Sequence, residues 1–72
     1  MTLLDGKIGE NYKVKSLDLE EKVMRRLESM GINEKTPVKV LNKKSSGVTI
    51  IMVRGTRLAM GKEIAGGIII HE

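Results

Sequence analysis

The stretch Arg25-Arg26-Leu27-Glu28-Ser29-Met30-Gly31-Ile32, answered some twenty residues later by Val53-Arg54-Gly55, decides the fold of this chain. The first segment reads as the end of a helix together with its stop signal. Gly31 stands where a helix needs a left-handed residue, a conformation in which a Cβ would clash. With Met30 as the C-cap, Ile32 is expected to meet Leu27 in a Schellman closure. Upstream, Leu19, Val23, Leu27 and Met30, with Met24 beside them, share one helical face. Asp18 and Glu21 have the spacing of an N-cap and its capping box. Glu21 and Arg25 form an i,i+4 pair in the favourable order. These signals predict a helix over residues 19–30.

The rest of the chain reads as short strands separated by turns. Over residues 11–16, Tyr12 and Val14 alternate with Lys13 and Lys15, the period of a strand with one buried face. Pro37 opens a second strand carrying Val38 and Val40; proline is tolerated there because a strand's first residue owes no ladder N–H. Ser45-Ser46-Gly47 supplies a turn. Residues 48–53 form a nearly continuous apolar run, the pattern of a strand covered on both sides. Arg54-Gly55 makes a tight hairpin connection, with Gly55 suited to positive φ. Residues 56–60 return as the next strand, residues 61–65 suit a helical turn, and Gly66-Gly67 leads into a closing strand over residues 68–70. The fold class expected is mainly β with one or two short helices, a small five-stranded SH3-like barrel in one domain spanning residues 1–72. Closure of such a barrel would limit exposed strand edges.

Composition narrows the chemistry. A chain of 72 residues buries only roughly 60% of the surface it exposes when unfolded. It has no cysteine, so disulfides and thiolate metal sites are excluded. Tyr12 is the single aromatic residue, and the core must come from Ile, Val, Leu and Met. The net charge of +4 suits an acidic partner, a nucleic acid or an anionic surface. The N-terminus lacks the basic start and apolar run of a signal peptide. No apolar run approaches the roughly 20 residues of a membrane span. A soluble cytoplasmic protein with no direct membrane insertion is expected.

The chain resembles the FeoA family, small cytosolic accessory proteins of the bacterial ferrous iron transporter. The likeness runs through the strand around Tyr12, the helix end Arg26-Leu27-x-x-Met30-Gly31-Ile32, Val38-x-Val40, the Val53-Arg54-Gly55 hairpin, Leu58-Ala59, and residues 65–70. The chain departs from the family at Glu34-Lys35, where a glycine is usual in the connection after the helix. It departs again at Ser45-Ser46, where a proline is usual, and at Gly61, where a basic residue is common. The resemblance implies an SH3-like fold and a non-catalytic partner role. The partner implied is the transporter membrane protein, through its cytosolic G-protein domain region, with the chain at most peripheral to the membrane's inner face.

Read residue by residue, the chain offers little chemistry. His71, the one histidine, lies beside the C-terminus, and Glu20-Glu21 point in different directions on a helix, so no catalytic or metal site is expected. Gly6-x-x-Gly9 and Gly66-Gly67 lack the features of a phosphate loop, so no cofactor is expected. Nucleic acid is a weaker reading, because Lys13, Lys15, Lys39, Lys43, Lys44, Arg54 and Arg57 come without the aromatic residues that stack bases. A generic SH3-like adaptor in another complex is the further alternative. Self-association is open through the five Met and the apolar closing strand. The partner-binding edge is placed at Arg54, Gly55 and Arg57 on the hairpin with Ser45, Ser46 and Gly47 on the turn, since exposed loops and arginines commonly carry recognition.

Overall fold

Alternation builds the first strand as expected: β1 (Asn11–Leu17) buries Val14 and exposes Lys13 and Lys15. In the computed structural model, which describes residues 1–71, four more strands follow. They are β2 (Pro37–Lys43), β3 (Thr49–Val53), β4 (Thr56–Met60) and β5 (Ile68–His71). Helix α1 (Glu21–Ser29) joins β1 to β2, and a short helix α2 (Lys62–Gly67) joins β4 to β5. All pairings are antiparallel, in the order β4-β3-β2-β1-β5. The fold is mainly β and SH3-like. Leu3, Val14, Ile32, Val38, Val40, Ile51, Val53, Ile68 and their neighbours form one aliphatic core, with Met60 filling beside them.

The C-terminal end of α1 follows the sequence reading in detail. Met30 is the C-cap, Gly31 has φ 91°, and Ile32 N–H donates to the Leu27 carbonyl at 2.9 Å. Gly31 N–H donates to Glu28 at 3.0 Å, completing the Schellman pair. The other end differs. α1 starts at Glu21 with Glu20 as N-cap and no side-chain cap, so the Asp18 capping box does not form. Tertiary contact explains this: Asp18 N–H donates to the Gly67 carbonyl at 2.7 Å, and Leu19 packs directly over Gly67. Both residues are thereby taken from the helix. Of the expected apolar stripe only Leu27 is buried; Leu19 and Val23 pack half-buried against the core, while Met30 remains 42% exposed.

Three further expectations need correction. β3 is not covered on both sides; its burial alternates, with Thr49, Ile51 and Val53 inward and Ile50 and Met52 half-exposed on a face that no second layer covers. Gly66 and Gly67 close α2 rather than open β5. The ladder also stays open, since β4 and β5 are both edges, and their inward residues Met60, Ile68 and Ile70 meet through the core instead.

The N-terminal segment forms structure that sequence reading passed over. Residues Leu3–Asp5 make a 3-10 turn capped by Thr2, whose hydroxyl accepts from Leu4 N–H while the Asp5 carboxylate accepts from Thr2 N–H at 2.9 Å. Leu3 is fully buried. The ammonium of Lys43 donates to the Leu4 carbonyl at 2.7 Å, and Ile70 N–H donates to Met1 at 2.9 Å. The turn thus packs on the β5 side of the sheet and covers part of that edge.

Lys35 adopts φ 70°, a left-handed conformation that costs a residue with a Cβ about 1–2 kcal/mol. This is the connection in which a glycine is usual in the family that the chain resembles. Lys35→Gly is therefore expected to stabilise the fold by about 0.5–1 kcal/mol after the added chain entropy of glycine. Denaturant unfolding with an unchanged slope would measure it.

Candidate partner-binding surface

β2, β3 and β4 present an outer face whose rows follow from register. Lys39, Met52 and Arg57 stand side by side, as do Asn42, Ile50 and Ala59. Lys39 and Arg57 thus flank the half-buried Met52 at strand spacings that set them about 10 Å apart. Leu41, Asn42, Lys44, Ile50 and Arg57 line a shallow groove of about 460 Å³ on this face. Its cations are unopposed locally. Residues 35–62 carry seven Lys and Arg and not one Asp or Glu, and all nine carboxylates of the chain lie outside this segment. That segregation was readable in the sequence and is a sharper signal than net charge. The one ion pair among the described residues is Glu21–Arg25, 2.6 Å apart and well exposed, on the far element.

Some of the seven cations are committed to the fold. Lys43 holds the N-terminal turn, and the Lys62 stem lies against Gly47. Arg54 closes α1: its Nε donates to the Gly31 carbonyl at 3.2 Å, beside the Thr36 hydroxyl, which donates to the same oxygen at 3.4 Å. A β-carbon on Gly31 would stand 3.0 Å from Arg54 Cδ, so the two residues pack closely. Lys39, Lys44 and Arg57 are exposed and make no hydrogen bond through their side chains among the described residues.

The six residues singled out from sequence do not form one cluster. Arg54 and Gly55 make a type I′ connection, φ 51° and 80°, at one end of β3. Ser45, Ser46 and Gly47 form the turn at its other end, about 17 Å away along five residues. Arg57 lies between them on the outer face. The structure therefore joins Arg57 with Lys39 and Lys44, residues that the sequence reading assigned only to a general basic stripe. Tyr12 is half-buried, packs on the core, and its hydroxyl accepts from Lys7 N–H at 2.8 Å.

Elsewhere the donor inventory is thin. Among the described residues no group of three or more His, Cys, Asp or Glu converges. His71 is exposed and faces Lys13 in register, a neighbour that disfavours a bound cation. Glu72, which follows it in the sequence, lies outside the described residues. No helix among them is long and apolar enough to cross a membrane.

The family model of the FeoA domain matches residues 1–72. The chain belongs to the FeoA family. It is 36% identical over 67 residues to the Fe(2+) transport protein A of Methanocaldococcus jannaschii, covering 93% of this chain and 80% of that one. The solution structure of FeoA from Chlorobium tepidum superposes with a TM-score of 0.90 at 32% identity, covering 99% of this chain and 69% of that one. FeoA of Stenotrophomonas maltophilia in complex with zinc gives a TM-score of 0.83 at 25% identity, covering 99% and 89%. That protein is described as an SH3 domain protein and a candidate activating factor of bacterial ferrous iron transport. Membership of the FeoA family links the present chain to ferrous iron transport.

Proposed function

We propose that this FeoA-family chain is a non-catalytic cytoplasmic accessory of a ferrous iron transporter, acting by contact with the transporter's cytosolic G-protein domain region. The observation that carries the reading is the carboxylate-free outer face, with Lys39, Lys44 and Arg57 free around Ile50 and Met52. Apolar centres rimmed by arginine and lysine are what protein interfaces use, and a one-signed field steers an acidic partner. The contact runs along β3 and β4, from Arg54 and Gly55 through Arg57 to Ser45, Ser46 and Gly47. Iron is the transporter's cargo in this account, and no step passes through a metal held by this chain.

An amide NMR titration with the isolated cytosolic domain, in GDP and in a GTP analogue, tests this. Shifts along that strip, with a different amplitude in the two nucleotide states, are expected. Unmoved amides in both states would contradict it. The same basic face favours nucleic acid as a second reading, so an oligonucleotide is titrated in parallel; shifts that collapse with salt would favour it.

A further inference from the structure

The two edges of the sheet are managed differently. β5 is covered in part by the N-terminal segment, through the Thr2–Ile69 bridge and the Ile70–Met1 hydrogen bond. β4 has no strand beyond it. It pairs with β3 in regular register over five residue pairs, with neither bulge nor proline to blunt it. Natural sheets seldom leave such an edge unprotected. Antiparallel pairing alternates bonded and non-bonded pairs, and a two-residue connection closes on a bonded pair, here Val53 and Thr56. Arg57 and Ala59 therefore turn their backbone N–H and C=O away from β3.

A second observation adjoins that edge. Val23, Leu27 and Met30 of α1 face Met60 and Ile64 across a cleft of about 170 Å³, with Ala59 at its margin. Arg26 is the one charged residue lining it. A strand laid beside β4 would send alternate side chains to the inner side, where Leu58 and Met60 point and where this cleft opens. The side chains between them would lie on the outer face next to Arg57.

We propose that the free edge of β4 is a docking edge for an extended, acidic strand of a partner protein. Apolar residues of that strand alternate with carboxylates: the apolar ones enter the cleft beneath α1, and the carboxylates meet Arg57 and the basic outer face. Charge selects this occupant over a second copy of the chain. Self-pairing would bring together two segments that each carry seven cations and no carboxylate, whereas an acidic strand complements both. The proposal rests on the reading of this chain as a contact protein and not on the partner's identity.

The test uses two synthetic peptides, nine residues of alternating Glu and Val and the same peptide with Lys for Glu. With the acidic peptide at low-millimolar concentration, amide exchange at Arg57 and Ala59 is expected to slow by about tenfold or more. β1 should be unchanged, and the Lys peptide should have no effect. Ala59→Pro removes the edge donor without touching the β3 ladder and is expected to abolish the effect. Ala59→Glu, which sets a carboxylate on the outer face against those of the peptide, is expected to abolish it as well should the proline variant not fold. Binding of the acidic peptide that survives both substitutions, or that shifts β2 while the β4 amides exchange freely, would overturn strand addition. So would no protection at all. Protection of Arg57 and Ala59 without peptide, rising with protein concentration, would make the occupant a second copy. Absence of peptide protection in a chain that still binds the transporter domain would refute strand addition while leaving the proposed function standing.

Discussion

Gly67→Ala is expected to destabilise the protein by about 2–4 kcal/mol, a large part of the roughly 4–10 kcal/mol available to a chain of this length. A β-carbon there would stand 2.7 Å from the Asp18 carbonyl oxygen and 2.6 Å from Leu19 Cγ. Neither neighbour can withdraw cheaply. The Asp18 backbone is held by its own hydrogen bond to Gly67, and Leu19 is packed against the core. Thermal unfolding should show a midpoint lowered by on the order of 15 °C. Gly66→Ala is the control: its β-carbon would meet only the Leu4 Cδ1 tip at 3.2 Å, and a change within about 1 kcal/mol is expected. Equal midpoints for the two variants would show that the α2–Leu19 contact is looser than described.

Leu3→Ala is expected to cost about 3 kcal/mol, the range found when a fully buried leucine leaves a cavity. Leu3 has no exposed surface although it is the third residue of the chain. Its turn is fixed from three sides, by the Thr2–Asp5 cap, the Lys43 ammonium and the Met1–Ile70 hydrogen bond. Chain ends usually fray, so a small cost is the ordinary expectation at this position. The contrasting variant is Ile8→Ala, where a side chain 59% exposed should change stability by less than about 0.5 kcal/mol. Chemical denaturation of both separates a structural N-terminus from a loose one.

What could be read from the sequence was what local rules determine. Gly31 and Ile32 fixed the end of α1 because a Schellman closure needs only residues 27–32. The start of α1 is not legible in residues 18–21 alone, because its outcome depends on Gly67, nearly fifty residues away. The capping signature of Thr2 and Asp5 is visible in the sequence, yet its use depends on β5 and Lys43 arriving beside it. The apolar run over residues 48–53 suggested two covered faces; composition alone does not reveal that the sheet has one layer. The proposed surface was half legible. Arg57 was named, but its row partners Lys39 and Met52 become neighbours only through register. That Arg54–Gly55 and Ser45–Gly47 sit at opposite ends follows from strand geometry, since they flank the same five residues.

The central claim, that the basic outer face is a contact surface for the transporter, meets its most direct test in the affinity of the isolated cytosolic domain for charge-reversed protein. Calorimetric titration would compare the natural chain with Lys39→Glu/Arg57→Glu, both side chains being exposed and outside the core. The account expects an unchanged unfolding midpoint and an affinity reduced about tenfold or more, with the residual binding less sensitive to salt. A doubly reversed variant that binds as tightly as the natural chain would contradict it.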